Sequence, residues 1–526
     1  MKMNPNRLWI AAILLGWIFD FLFWEQDAGV NFASFLTLSL ILGTGLLLVD
    51  GFRPSSHSLW LLIPFVFFAV VTFLRQEPLT LFLGYAFSLF SLGVFVATYL
   101  GGRWTLFGLT DYFRRFFYLI ASMLSLPRKF VRGTKQEQAP EGTRKFPFIP
   151  ILRGLLIALP IVAVFTSLLA GADAIFDQKL DNYFEDFDLF EQILRGLIIL
   201  AVAYLLAGTF LHAAFNSSDE SVTDSEKPRK HPLGFTEAVI VLGSVAALFG
   251  FFVVIQFQYF FGGQTNIGVE GFTYSEYARR GFNELITVAF FCLVMILGLG
   301  VLTRRESRGE RFAYSGLSVV IVAEVMVMLV SAWQRLMLAI DWHGFSRLRL
   351  YPSVFMFWLG ILLVVVVILE IVRRERFFAL AFVLASLGFG VSLAFFNIDE
   401  SIVSHNLERV TQGKNLNVAH LASLSADAVP VLVKNFQSDT FSPETHEGIG
   451  AILACYLHSD IMETNSDWQS FNLSRWKARI ALEEVQPLLS EYRMSSPSRW
   501  PPRVLTPSKR YHECLDPEAP TWPTDF

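Results

Sequence analysis

Apolar positions along this chain come in long unbroken runs, with the polar positions gathered into short intervals between them. The runs occupy 8–24, 32–49, 59–74, 79–100, 147–172, 190–214, 235–261, 284–303, 314–333, 352–372 and 377–397. Each is close to the roughly 20 residues a helix needs to cross the hydrocarbon layer. A backbone in lipid must satisfy its own hydrogen bonds, so continuous runs predict helices, whereas a barrel would alternate. The pattern therefore predicts an all-α polytopic transmembrane helix bundle of about eleven spans. Lys2 and Arg7 precede the first run, Asp20 and Trp24 occupy its end, and no small-residue cleavage site follows. That predicts a retained span rather than a signal peptide. One shorter run, FFYLIASMLSL at 116–126, follows Arg114 and Arg115. It suits an amphipathic helix on the inner membrane surface.

Sidedness follows from the basic residues. With the N-terminus inside, the inner segments hold Arg53 and the basic stretches at 128–145, 227–230, 304–311 and 373–376. They then carry about twenty Lys and Arg, the outer loops about seven, which is the bias expected of the cytoplasmic face. Arg335, Arg347 and Arg349, after the ninth run, are the exception. An odd number of spans places the tail outside. The organisation expected is a four-span region at 1–100, a basic cytoplasmic linker with an amphipathic helix at 101–146, a seven-span core at 147–397 and a small helical extracytoplasmic tail at 398–526. DAVPVLVKNF and SRWKARIALEEVQPLL show helical periodicity within the tail. The proline-rich stretch 495–526 predicts extended or mobile chain.

Composition narrows the function classes. Of 526 residues 53% are hydrophobic and 17% charged, against roughly 25% charged in soluble domains. An ordinary soluble enzyme is excluded for the chain as a whole. The 53 phenylalanines suit lipid and would aggregate on a wetted surface. A net charge of −4, with no basic stripe interleaved with aromatics, sets nucleic acid aside. The partners expected are the lipid bilayer and an extracytoplasmic protein. Cys292, Cys455 and Cys514 show neither CxxC nor zinc spacing, so no metal or cofactor is expected. Cys292, inside an apolar run, reads as a buried thiol. Cys455 and Cys514 both fall in the tail, where an oxidising compartment permits a disulfide that would staple its loose end to a helix. GxSxG, HExxH and P-loop motifs are all missing, and no nucleophile–base pair is visible, so the expectation is non-enzymatic.

Three polar clusters interrupt the apolar pattern. YSEYARRGFNEL at 274–285 precedes the eighth run on the outer side. Its tyrosines and arginines suit an interface, with Glu284 in the helix's first turn. Alternatively Tyr274, Glu276, Tyr277, Arg279 and Arg280 line an outward pocket. Trp333, Arg335, Asp341, His343, Arg347 and Arg349 form the second cluster, in the outer loop after the ninth run. Acids of the first cluster, lipid headgroups or an anionic ligand would compensate these arginines, unless they close into an interhelical ion-pair network. Asp173, Asp177, Asp181 and Glu185 recur every four residues, with Asp186 and Asp188 nearby. They lack EF-hand spacing, and pairing with the second cluster is the reading preferred over a cation. Asp20, Glu237 and Glu370 lie near span ends. Glu324 falls near mid-span in VVIVAEVMVMLV, either hydrogen-bonded to a neighbouring helix or lining a polar path. ILRGLLIAL (151–159) echoes ILRGLIIL (193–200), with Arg153 and Arg195 at opposite faces, but eight residues are too few to establish an inverted repeat. His405 and His420 read as surface or helix-packing groups.

GADAIFD (171–177), FTYSEYARRGFNEL (272–285), SAWQRLMLAIDWHGFSRLRLY (331–351), NLNVAHLASLSADAVPVL (415–432) and DWQSFNLSRWKAR (467–479) resemble an uncharacterised family of bacterial multi-pass membrane proteins. That family is known as domain of unknown function 4173, with a relative numbered 4153. The resemblance covers roughly the last two thirds of the chain, and the first four spans match only in being apolar. It implies a polytopic protein of the bacterial inner membrane and carries no activity or catalytic residue. The function expected is non-enzymatic partner binding or ligand sensing by the outer tail and loops. The alternative is a secondary transporter with a polar path near Glu324 and the outer arginines.

Overall fold

The computed structural model describes residues 3–137, 162, 165, 169, 189–218, 233–261, 282–304, 307–438, 440–459, 461, 467–495 and 502–515. The expected span at 147–172 apart from 162, 165 and 169, the acids between 173 and 188, and Arg153 lie outside the described residues. So do the basic stretch at 227–230 and the first-cluster residues Tyr274, Glu276, Tyr277, Arg279 and Arg280.

The apolar runs fold as α1 (Pro5–Phe23), α2 (Val30–Val49), α3 (Ser56–Leu59), α4 (Leu62–Leu74), α5 (Pro78–Ala97), α6 (Leu109–Glu137), α7 (Leu189–Phe215), α8 (Phe235–Phe261), α9 (Phe282–Leu302), α10 (Arg308–His343), α11 (Arg347–Ile371) and α12 (Phe378–Phe396). Among the described residues nine segments are long and apolar enough to cross a membrane, α3 and α4 together making one, and Glu284–Gly300 within α9 is a shorter apolar stretch. The chain is an all-α polytopic membrane bundle. α10 contains the expected span 314–333 and extends past it at both ends: it runs for 36 residues, well beyond the ~20 a crossing needs. Nothing in the flanking sequence breaks the helix between its capping box at Ser307/Glu310 and Gly344, whose φ of +86° closes it. The short run at 116–126 likewise belongs to a longer helix, the 29-residue α6.

Two compact units share the chain. The first comprises Met1–Glu25, Phe35–Arg53 and Phe116–Ser217. Here α1 and α7 run antiparallel, so close that a Cβ on Gly16 would fall 2.4 Å from the Ile199 carbonyl. Asp20 takes Arg195 in a two-pronged pair, with Nη2 at 2.7 Å and Nε at 3.2 Å from both oxygens. α6 crosses α7 at Gly208, and the Tyr204 hydroxyl donates to the Leu124 carbonyl at 2.6 Å.

The second unit holds Gln26–Ser34, Pro54–Arg115 and Ser218–Phe526. Ile321, Val325, Ala332 and Leu336 on α10 are fully buried against Leu242 of α8, Leu293 of α9 and Leu363 of α11. After α12 the chain turns sharply at Asn397, in the left-handed region at φ +43°, where asparagine is tolerated better than most residues. The tail follows as α13 (Ile398–Thr411), α14 (Val418–Ala422), α15 (Val429–Phe436), α16 (Pro443–Leu457) and α17 (Leu473–Val485). Ile402, Val429, Leu432, Ile449, Ile452 and Leu482 form its core, and Leu79, Leu350 and Val354 from the membrane helices pack against it.

Within the proline-rich end the described residues 502–515 carry extended chain, and that chain is paired in a sheet. β1 (Arg493–Met494), β2 (Arg503–Leu505) and β3 (Tyr511–Glu513) form an antiparallel sheet in that order. Val504 is fully buried in the tail core, giving the segment an apolar anchor that composition alone hides. Cys455 on α16 is bonded to Cys514, their Cα atoms 5.5 Å apart, a spacing usual for disulfides.

Candidate functional site

The polar residues of the second unit gather where the tail meets the ends of the membrane helices. Three inter-helix connections converge there. At the α1–α2 connection, the Val30 amide donates to the Phe471 carbonyl at 2.9 Å, Gln26 donates to Asp467 at 2.9 Å, and Ser470 donates to Gln26 at 3.1 Å. The approach is tight, since a Cβ on Gly29 would meet the Ser470 carbonyl carbon at 2.6 Å.

The α4–α5 turn is held by one tail carboxylate. Asp427 accepts the amides of Gln76 at 2.7 Å and Glu77 at 3.1 Å, and Arg75 reaches it at 3.8 Å. Burial pushes the Asp427 carboxyl above its ordinary range, and the Gln76 amide, Ser474 and Arg75 only partly offset this. Glu77 caps α5 through the amides of Leu79 at 2.9 Å and Thr80 at 2.8 Å, and also accepts from the Thr80 and Tyr351 hydroxyls. Pro78 follows at the first helical position, where its missing N–H costs nothing.

The third junction is between α10 and α11. Arg347 grips Asp399 of α13 with two parallel bonds, 2.8 and 2.5 Å long. The remaining capacity of Asp399 takes the Ser425 amide at 2.8 Å. Asp399 is 0% exposed, so this charge is compensated without help from water. Asn406 brackets Phe345, accepting from its amide at 3.0 Å and donating to its carbonyl at 2.9 Å, while Arg409 donates to the Asp341 carbonyl at 2.7 Å.

The second cluster thus differs from its expected place in an outer loop. Trp333, Arg335 and Asp341 ride on the last turns of α10, Arg347 and Arg349 on the first turn of α11, and only three residues connect the helices. Arg347 is paired with the tail carboxylate of Asp399. Arg349 donates to the Gly344 carbonyl at 2.8 Å, closing the connection. Arg335 donates to Gln256 of α8 at 3.1 Å, as does Ser331 at 2.9 Å. Trp333 and Asp341 are exposed. Glu324 lies apart from the junctions, on the α10 face that also carries Ser331 and Arg335. A Cβ on Gly250 of α8 would lie 3.1 Å from its Oε1, and Oε2 has no hydrogen-bond partner among the described residues.

Arg75, Glu77, Tyr351, Asp399 and Asp427 were not singled out from the sequence. Glu77 had a signal, an acid directly before a proline opening an apolar run. Asp399 and Asp427 had none, because their partners stand 52 and 350 or more residues away.

The tail also carries a groove of about 390 Å³ between the edge strand β3 and the segment before α14, with Asn415, Asn417, Tyr511, His512 and Glu513 on its walls. No group of acids, histidines and cysteines suited to a metal occurs among the described residues.

A family model described as Domain of unknown function (DUF4153) matches residues 62–435, more than two thirds of the chain. The match opens at the start of α4 and closes in α15. It therefore takes in α4 and α5, which the sequence resemblance had left out, and stops short of DWQSFNLSRWKAR. The number that matches is 4153 rather than 4173. No curated protein and no solved structure matches the chain.

Proposed function

The chain belongs to the family described as Domain of unknown function (DUF4153), and from that footing we propose a non-enzymatic receptor role in the bacterial inner membrane. In this reading the N-terminus is cytoplasmic, and the extracytoplasmic tail binds a partner or ligand and passes the event to the helices. The observation that supports it is the buried junction: Asp399 and Asp427 of the tail hold the ends of α11 and α4–α5, so a rearrangement of the tail is felt by the helices. The groove beside β3 is the binding place this reading favours. Two measurements test it. Alkaline phosphatase fused after Phe526 is expected to be active, and a fluorescent cytosolic fusion at the same point would overturn the sidedness. A photo-crosslinking residue at Tyr511 is expected to give one discrete adduct in cells, lost when Asn417 is replaced by Trp to fill the groove. The absence of any adduct at Tyr511 counts against the receptor reading.

Glu324 favours a second reading, secondary transport. An unpartnered carboxyl oxygen within a span is costly to retain without a task, and the Ser331–Gln256–Arg335 group extends the polar file toward the tail-side end of α10. Proton or solute flux into proteoliposomes is expected to fall in Glu324→Gln. Equal flux in both proteins removes this reading.

A further inference from the structure

At the end of α10 and α11 away from the tail, about 35 Å along α11 from Arg347, lies a groove of about 850 Å³. Its rim carries Arg308 and Arg311 from the first turn of α10 and Arg373 just after α11. Arg308 and Arg373 make no ion pair among the described residues. Among the described residues that line the groove the one acid is Glu370, which is 5% exposed and accepts from Ser315 at 3.2 Å, against three arginines.

Two further features show that this is more than a helix N-terminus. Thr303 is 2% exposed and lines the groove, and its hydroxyl oxygen has no partner among the described residues. A Cβ on Gly316 would meet nothing within 4 Å, so the floor is open. Below the basic rim the wall turns apolar: Phe312 is 82% and Ile371 57% exposed, and Val319 continues the strip. A water-filled site for a free anion has no use for such a wall.

The geometry points to a binding site for an anionic phospholipid, its phosphate held by Arg308, Arg311 and Arg373 with the Thr303 hydroxyl as a further donor, and an acyl chain lying along Gly316, Val319 and Ile371. Arginine holds phosphate through paired N–H donors, and basic grooves between membrane helices suit anionic headgroups. The inference rests on the membrane fold alone, not on the receptor reading. Its failure leaves that reading untouched.

The test uses the full chain in detergent, with bound lipid counted by native mass spectrometry. Wild type is expected to retain phosphatidylglycerol in preference to phosphatidylcholine. Arg308→Ala/Arg373→Ala is expected to cut that retention by about thirtyfold, from the attraction of two arginines to an anionic headgroup. Gly316→Leu, which fills the floor and leaves every charge in place, is expected to lower retention with an unchanged melting curve, and it decides the matter if the arginine variant does not fold. Equal retention of the two lipids by wild type overturns the proposal, as does undiminished retention in Gly316→Leu. Displacement of the lipid by millimolar inorganic phosphate would reassign the site to a free anion and overturn the lipid occupant.

Discussion

Asp399 uses both carboxylate oxygens on Arg347 and still accepts the Ser425 amide, all in full burial. Removing one partner of such a pair strands the other. Asp399→Ala is expected to destabilise the protein by roughly 3–5 kcal/mol, toward the lower end because the Arg347 side chain keeps 24% exposure. Replacing both partners, as in Arg347→Met/Asp399→Leu, is expected to recover most of that loss. Thermal melts of the three purified proteins check this, and a double variant no better than the single would refute the ion-pair account. Arg347 was legible beforehand as an excess cation on the wrong side of the charge bias. Its partner was not, because a carboxylate in the tail looks like any solvated acid until the fold buries it.

Among the elements, α10 runs furthest beyond its apolar run, and the terminal sheet pairs a segment whose composition predicts only extended or mobile chain. Hydropathy marks where lipid lies, not where a helix stops, so a helix carrying polar residues on its last turns is read short. The sheet is anchored by Val504, the Cys455–Cys514 bond and polar contacts to α16: the Ser508 amide donates to Glu447 at 2.8 Å, and Arg510 pairs with Glu444. With its cysteines separated by 59 positions in sequence, the crosslink contributes up to about 4 kcal/mol by chain entropy. Cys514→Ser is expected to lower the unfolding midpoint of the tail, read as faster amide exchange in β2 and β3.

Acid acts on the same sheet. Burial holds His512 below the usual histidine range, with Glu447 opposing and Arg510 reinforcing. Burial works against the ionised Glu447, but Thr506, Ser508 and Arg510 override it and hold this carboxyl below its usual range. Both depressed groups take protons more readily unfolded than folded, so their contribution is present above the ordinary values and lost as pH falls through the folded ones. For His512 the loss sets in below about pH 6.5, for Glu447 only below the ordinary carboxylate value. Amide exchange across β2 and β3, corrected for intrinsic rates, is expected to quicken between pH 7.5 and 5.5. In His512→Gln that acceleration should shrink. A pH-independent wild type would contradict the assignment.

On the scale of the second unit, the tail clasps three connections that the apolar pattern independently assigns to one face: α1–α2, α4–α5 and α10–α11. Truncation after Asn397 would leave Arg347 without Asp399, the Gln76 and Glu77 amides without Asp427, and Leu79, Leu350 and Val354 without cover. The truncated chain is expected to melt lower than the full one in the same detergent. Equal melting would mean that the tail is an appendage and would weaken the receptor reading with it.

Membrane class, helical fold and the positions of most spans were written in the order of residues. Lipid imposes a local requirement, some twenty apolar residues whose backbone bonds to itself, and a local requirement can be read along a chain. Burial of Asp399 and Asp427, the depth at which Val504 rests and the placement of Arg373 in one groove with Arg308, Arg311 and Thr303 came only with folding. Each depends on residues far apart in the chain reaching one place, and composition holds no record of which distant groups will share a shielded environment.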